Sequence, residues 1–341
     1  MPIDPLSPDS SRSPDISRIA PATHSTIDPD FVARLIEDRY DHAGPVAAEL
    51  LYRGVNDVYI IKDANGRRAM RIWRAATRSV TGVMQELDYL DFLDSHGIPL
   101  SKSIPARNGD RYIIVNALEG LRPAVLYTWA PGSKFGDSLD IATAERIGGK
   151  FAEMHLIARD YQPAQDVVDD PIGSLRENLP SLLLWVSDRP DDIRDYTHLT
   201  ETLSERLKTL DDLDLPRGMC HQDMHPSNVH LSPDGTITFL DFDGCSVGYW
   251  LHDVKNFIFG SAFYGFDAAY GAAFERGYLR VRPYTADEIE SQELFLLNKA
   301  FRLVGGASRG SSSRGRDLLR LQNLNWFAEY IKPRARSLGL L

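Results

Sequence analysis

From Met219 to Asp253 the chain reads MCHQDMHPSNVHLSPDGTITFLDFDGCSVGYWLHD. Asn228 stands just before the alternating run Val229-His230-Leu231, and Asp241 just after a second apolar run, Ile237 to Leu240. Between the runs lies Ser232-Pro233-Asp234-Gly235, and Asp-Gly between two strand-like segments is a strong hairpin signal. In an antiparallel hairpin the ends opposite the turn meet, so Asn228 and Asp241 are expected on one edge. Asp223 lies a few residues upstream, in an irregular loop. Two carboxylates and an amide oxygen suit a hard cation such as Mg²⁺, with room in its shell for phosphate oxygens.

Upstream, two further turn signals punctuate strand-like sequence. Leu51 to Lys62 and Arg68 to Arg74 flank Asn65-Gly66, and Ile104 to Val115 carries Asn108-Gly109 at its centre, so each reads as a hairpin. Between them Thr81 to Ser95 reads as a helix, with Val83, Leu87, Leu90 and Leu93 in one stripe, ended by Gly97 and Pro99. Pro123 to Ala130 is a last strand, stopped by Pro131-Gly132. Glu86 shares the apolar stripe of its helix, where a carboxylate is costly unless a cation meets it. The alternation Ala69-Met70-Arg71-Ile72 puts Arg71 on the face opposite Met70 and Ile72, so Arg71 is a candidate partner. Helical phase alone leaves this open against a Glu86 at the stripe's margin, in water.

Past Gly132 the pattern turns helical. Leu139 to Ala158, Leu175 to Val186 and Asp192 to Leu210 precede the opening stretch, and helices resume from Val254. A short amphipathic helix is expected near Asp30 to Tyr40. Residues 1–27, rich in Pro, Ser and Asp, are expected to form a disordered tail. Gly305 to Gly315, GGASRGSSSRG, reads as a flexible basic loop. The pattern thus divides the chain into a tail over 1–27, a mainly β lobe over 28–131 and a mainly helical lobe over 132–341.

A chain of 341 residues with 43% hydrophobic and 25% charged residues is ordinary globular material. Its net charge of −10 speaks against duplex nucleic acid as a partner. No apolar run reaches bilayer length, so no membrane partner is expected. The start lacks a basic segment followed by an apolar core, and the two cysteines, Cys220 and Cys245, imply no disulfide framework. These features read as a cytoplasmic protein with reduced thiols. They leave its oligomeric state open.

The order of elements, with His221-Gln222-Asp223 through Asn228 and Leu240-Asp241-Phe242-Asp243, resembles the aminoglycoside phosphotransferase and choline kinase-like branch of the protein-kinase fold. Gly248, Asp253 and the segment GGKFAEMH ending at His155 are similar to further positions of that branch. HQDMHPSN and DFDGCSVGYWLHD look most like homoserine kinase-like and hydroxylysine kinase-like members. The resemblance implies an α+β, bilobal protein-kinase-like fold: a small antiparallel β N-lobe with one inserted helix, and a larger, mainly helical C-lobe. It implies an ATP-dependent phosphotransferase that uses Mg²⁺ and a small-molecule hydroxyl substrate: an amino alcohol, a hydroxy amino acid or an aminoglycoside-like compound. Asp223 would take or orient the hydroxyl proton, and Asn228 and Asp241 would hold the metal ions on the ATP phosphates. Arg71, paired with Glu86, would contact the phosphates, and backbone groups of Thr128, Trp129 and Ala130 would bind adenine. His221 would order its loop, and Asp253 would anchor it by hydrogen bonds. The chain departs from the protein-kinase pattern twice: Arg71 stands where those kinases have Lys, and the loop Arg53-Gly54-Val55-Asn56-Asp57 has a single glycine.

Other readings are a protein Ser/Thr kinase, a nucleotide-binding pseudokinase without transfer, and a two-His-one-carboxylate iron site built on His221, Asp223 and His252. The helices on both sides of the hairpin speak against the iron site. The lack of an A-P-E-like segment after Asp253 favours a small substrate over a protein. Asp169, Asp170, Asp191 and Asp192 are candidates to meet an amine, and Phe257, Phe263, Tyr264 and Phe266 to wall the acceptor pocket; solvated surface and core are the competing readings.

Overall fold

The structure, a computed structural model, describes residues 22–137, 140–163, 167–314 and 321–341. The N-terminal lobe opens with α1 (Pro29–Arg39), where Asp28 caps the first turn by accepting the Asp30 N–H at 2.7 Å. Then follow β1 (Ala47–Arg53), β2 (Asp57–Asp63), β3 (Gly66–Ile72), α2 (Val80–Ser95), β4 (Ser103–Ile104), β5 (Ile113–Ala117) and β6 (Gly120–Thr128). The sheet runs β1-β2-β3-β6-β4, with β5 also on β6, and every pairing is antiparallel. Alternation sorts its faces: Tyr59, Ile61, Met70, Ile72, Ala124 and Leu126 pack against Val32, Ile36 and Tyr40 of α1. Arg71, Val125 and Tyr127 take the opposite face, towards α2.

Three expectations change here. Leu51 to Lys62 is not one strand, because residues 54–56 break it into β1 and β2. Asn108-Gly109 does make a tight turn, with the Ala106 N–H on the Asp110 carbonyl at 2.8 Å, but its flanks do not pair with each other. Both β4 and β5 bond to β6 instead, because the long β6 offers two stretches of unpaired edge. Residues 22–27 of the expected tail are ordered against the sheet: the Tyr59 hydroxyl donates to the Ile27 carbonyl at 2.6 Å, and Ser25 donates to Glu119 at 2.6 Å. Residues 1–21 lie outside the described residues.

The second lobe comprises β7 (Ser133–Lys134), α3 (Ile141–Ala158), α4 (Pro171–Trp185), α5 (Pro190–Lys208), β8 (Arg217–Cys220), β9 (Val229–Leu231), β10 (Ile237–Phe239) and β11 (Ser246–Tyr249). It ends with α6 (Trp250–Phe263), α7 (Ala268–Val281), α8 (Ala286–Arg314) and α9 (Leu321–Ser337). Residues 305–314, expected as loop, continue α8. Gly305 sits where α4 comes close: a Cβ there would meet the Asn178 Cβ at 2.8 Å, so packing rather than flexibility accounts for that glycine. Gly315 lies outside the described residues.

One hydrophobic core runs without a break from α2 (Val83, Leu87, Leu90) through Phe239 and Phe242 to Phe151 of α3 and Phe274 of α7. It therefore fixes the inserted helix of the first lobe directly onto the hairpin of the second. A separate core joins α4, α5, α8 and α9. Helices α3 and α7 pack at nearly backbone contact, since a Cβ on Gly277 would lie 1.8 Å from the Glu145 carbonyl oxygen. Gly277→Ala is expected to lower stability by about 1–3 kcal/mol or more, read as a drop in denaturant midpoint at unchanged m. No helix among the described residues is long and apolar enough to cross a membrane, and Cys220 and Cys245 are both free and buried.

Candidate active site

The hairpin forms as its Asp-Gly signal requires. Val229 pairs with Phe239, and the Leu240 N–H donates to the Asn228 carbonyl at 3.0 Å, so Asn228 and Asp241 share one end. Asn228 closes a short 3-10 turn, Pro226–Asn228, and its Nδ2 donates to the Asp223 carbonyl at 2.9 Å. That bond ties the loop to the hairpin and leaves the amide oxygen as the atom Asn228 can offer a cation.

Two residues here adopt the left-handed region that side chains disfavour: Gln222 at φ 68° and Asp241 at φ 64°. Asp253, in the first turn of α6, holds the first of them in place. Its Oδ2 accepts the His221 N–H at 2.5 Å, its Oδ1 accepts the Gln222 N–H at 2.6 Å, and His155 Nε2 lies 3.2 Å from Oδ2. Burial works to raise the Asp253 pKa, but the bond to His155 and the nearby His221 and His252 outweigh it and hold it below the usual range. His221 Nε2 in turn reaches the Leu240 carbonyl at 2.7 Å, next to Asp241. His221 and Asp253 thus order the loop by hydrogen bonds.

His155, Cys220 and Asp253 come close enough to suggest a metal centre. His155 Nδ1, however, lies 2.7 Å from the Tyr278 hydroxyl and Nε2 meets Asp253, so both ring nitrogens are engaged. Burial also pushes the Cys220 thiol well up, which disfavours the thiolate a metal would need. This is a buried polar network. The iron reading fails likewise: His221 meets the Leu240 carbonyl through Nε2 and the Asp223 N–H through Nδ1, and among the described residues His221, Asp223 and His252 do not converge as a ligand set.

Asp223 keeps 47% of its side chain exposed at the cleft. Its Oδ2 lies 3.6 Å from His225 Nε2, and its Oδ1 lies 3.6 Å from the Lys299 ammonium. Burial raises its pKa, yet His225 and Lys299 outweigh this and hold the carboxyl well below its ordinary value. Across the cleft floor stand Asp241 and Asp243. Burial, then Asp223 and Glu86, raise Asp241 despite Arg71, although 43% of its side chain still faces the opening. Asp243 is pushed up to about 6, by burial first and by Asp241 next. Asn56, in the loop between β1 and β2, donates to Asp243 Oδ2 at 2.5 Å. Carboxylates that raise one another's pKa form a site short of positive charge, and their hard oxygen donors fit a divalent cation.

Arg71 spans the two lobes. Its Nη1 bonds Glu86 Oε1 at 2.9 Å and its Nη2 bonds Asp241 Oδ1 at 2.7 Å, while its guanidinium lies over the rings of Tyr127 and Trp73. Glu86 is fully buried and its pKa is raised by that burial, against the pull of Arg71; the Tyr127 hydroxyl donates to it at 2.9 Å. Glu86 therefore faces the core and meets Arg71, which resolves the two readings of its helical phase.

At the end of β6, Thr128 is already well used. Its carbonyl accepts from the Ser101 hydroxyl at 2.5 Å, and its N–H donates to the Lys102 carbonyl at 2.8 Å. An incoming base would have to share that carbonyl. Trp129 lies under the Arg67 guanidinium at 4.9 Å, and Ala130 is buried behind it.

Three residues of this site escape a reading of the sequence. Asp243 carries a signal only as the second acidic residue of Asp241-Phe242-Asp243; strand alternation does not place it, because Asp241 lies past β10 with φ 64°. Lys299 is marked only as a lysine within the apolar run Leu294 to Phe301 of α8. His225 has no local signal, because its relation to Asp223 depends on the 3-10 turn. Among the proposed amine-binding residues, Asp169 closes on Arg302, Asp170 caps α4, Asp191 meets Arg194, and Asp192 meets Lys332. Phe257 is core, stacked on Phe274 at 3.9 Å, whereas Tyr264 stands exposed beside His225.

An antiparallel lobe with one inserted helix, a helical lobe, and a carboxylate-lined cleft between them define a protein-kinase-like phosphotransferase. The chain belongs to the phosphotransferase enzyme family, whose model matches residues 53–287. It is a small-molecule kinase, acting on hydroxyl acceptors. It is 26% identical over 328 residues to an uncharacterized protein of Deinococcus radiodurans, covering 92% of this chain and 93% of that one. It is 25% identical over 288 residues to a homoserine kinase of Acidiphilium cryptum, covering 83% and 86%. The structure of the amicoumacin kinase hAmiN in complex with AMP-PNP, Ca²⁺ and Ami superposes with a TM-score of 0.72 at 19% identity, covering 91% and 94%.

Proposed function

We propose that the protein transfers the γ-phosphoryl group of ATP, with Mg²⁺, to the hydroxyl of a small amine-bearing or amino-acid-like molecule. The observation that carries this is Asp223: an open, ionised carboxylate fixed beside Asn228 and facing Asp241 and Asp243. The AMP-PNP and Ca²⁺ in the amicoumacin kinase complex support the cofactors, and the homoserine kinase supports the acceptor class.

The acceptor hydroxyl would donate its hydrogen bond to Asp223, which turns an oxygen lone pair towards the phosphorus. As the new O–P bond forms and the bond to ADP breaks, the proton passes to the Asp223 carboxylate. A carboxylate held so acidic is a weak base, so it would orient the hydroxyl early and take the proton late. The Asn228 amide oxygen, Asp241 and Asp243 would hold the divalent cation, which would supply charge to offset that of the phosphates. Arg71, kept in place by Glu86, would grip the phosphates, and Trp129 and Ala130 would border the adenine.

ADP release with Mg²⁺ and ATP, measured over amino alcohols, hydroxy amino acids, sugars and aminoglycosides, tests the proposal. Turnover with at least one acceptor class is expected. No ADP across the panel, with a melting temperature that still rises on adding ATP, would instead mark a nucleotide-binding pseudokinase.

A further inference from the structure

We propose that the acceptor is a hydroxy amino acid, and that Lys299 of α8 receives its carboxylate. This inference rests on the phosphotransfer reading and narrows its substrate.

Helix α8 presents two cations three residues apart and so on one face, Lys299 beside Asp223 and Arg302 near His252. They differ in what they hold. Arg302 closes its fork on Asp169 at 2.9 and 2.6 Å, so its charge is matched. Lys299 has no such partner among the described residues. It stands 3.5 Å from the Gln222 carbonyl and 3.6 Å from Asp223 Oδ1, both beyond the usual length of a charge-assisted hydrogen bond. Only 14% of its side chain is exposed. An ammonium with three donors, mostly out of water and loosely partnered, is a receptor for an anion.

A second observation lies beside it. His252 Nδ1 and Gln222 Oε1 are 2.9 Å apart, while the other polar atom of each, His252 Nε2 and Gln222 Nε2, is buried without a partner. His252 is 4% exposed, and burial, with Arg302 and Lys299 nearby, lowers its pKa to about 4, so it is neutral. If Nδ1 carries the proton, the Gln222 amide is left as a donor and His252 Nε2 as an acceptor. If the amide is turned over, His252 Nε2–H becomes the donor and the Gln222 oxygen the acceptor. Either arrangement leaves one buried donor and one buried acceptor unmatched.

A cation, a neutral donor and a neutral acceptor complement the head of an α-amino acid. Its carboxylate takes the Lys299 ammonium and the spare donor, and its ammonium donates to the spare acceptor. The position beside Asp223 then keeps a short side-chain hydroxyl within reach of that carboxylate. An amine without a carboxylate finds less here, since Asp169 is already bound to Arg302.

The test compares hydroxy amino acids with the amino alcohols that lack only the carboxylate, in the full chain and in Lys299→Met. The wild type is expected to prefer the hydroxy amino acids in kcat/KM. Lys299→Met is expected to raise their KM by about tenfold to a hundredfold, as loss of a charged hydrogen bond does, and to leave the KM of the amino alcohols in place, while any loss of kcat from its position beside Asp223 falls on both classes alike. If Lys299 only tunes Asp223, the variant lowers kcat on every acceptor alike and moves the KM of neither class selectively, and the inference is wrong. Preference for amino alcohols, or for sugars, in the wild type also overturns it while leaving phosphotransfer intact. Absence of ADP release from every acceptor would overturn the phosphotransfer reading itself, and this inference with it.

Discussion

Asp223→Ala is expected to lower kcat by about 10²- to 10⁴-fold while leaving the affinity for ATP nearly unchanged. The carboxylate would orient and deprotonate the hydroxyl, and it acts on the nucleotide side of the cleft only through its charge near Asp241 and Asp243. Its neighbours are His225 and Lys299. Removing it leaves the backbone of the loop held by Asp253, so the fold is expected to survive. Steady-state ADP release, with ATP affinity measured separately by calorimetry, checks both halves. Turnover within a few-fold of wild type removes Asp223 from the mechanism.

Asp241→Ala is expected to act on the other partner. Even groups behind a metal ligand shift metal affinity by about tenfold to a hundredfold, so loss of the ligand itself should cost at least that. The wild type should bind ATP much more tightly with Mg²⁺ than with a chelator present, and the variant should lose that difference. Equal binding by the wild type with and without Mg²⁺ would falsify the metal role of the hairpin end. Thermal unfolding of the variant separates this from misfolding. Arg71 loses one of its two carboxylates in the variant but retains Glu86.

Much of this was legible before the structure, where a local rule sufficed. Asp-Gly set the register that joins Asn228 to Asp241, and strand alternation placed Arg71 opposite Met70. The helical stripe made Glu86 a candidate partner but left it open against a place in water, and the bond to Arg71 decided between them. Where the sequence misled, packing had overridden composition. The glycines and serines after Val304 suggested a loop, yet Gly305 accommodates α4 within a continuing helix. Acidic residues that suggested an amine site are each matched by a basic group or a helix cap. Lys299 could not be found locally, because 76 positions separate it from Asp223 and only tertiary packing joins them.

The contact between Arg71 and Asp241 gives the cleft a counter-ion of its own. On the proposed roles, a divalent ion at Asp241 would compete with the guanidinium for that carboxylate, and phosphates arriving with the ion would offer the guanidinium a new partner. Metal and nucleotide entry would then favour one another, and a half-loaded cleft would be disfavoured.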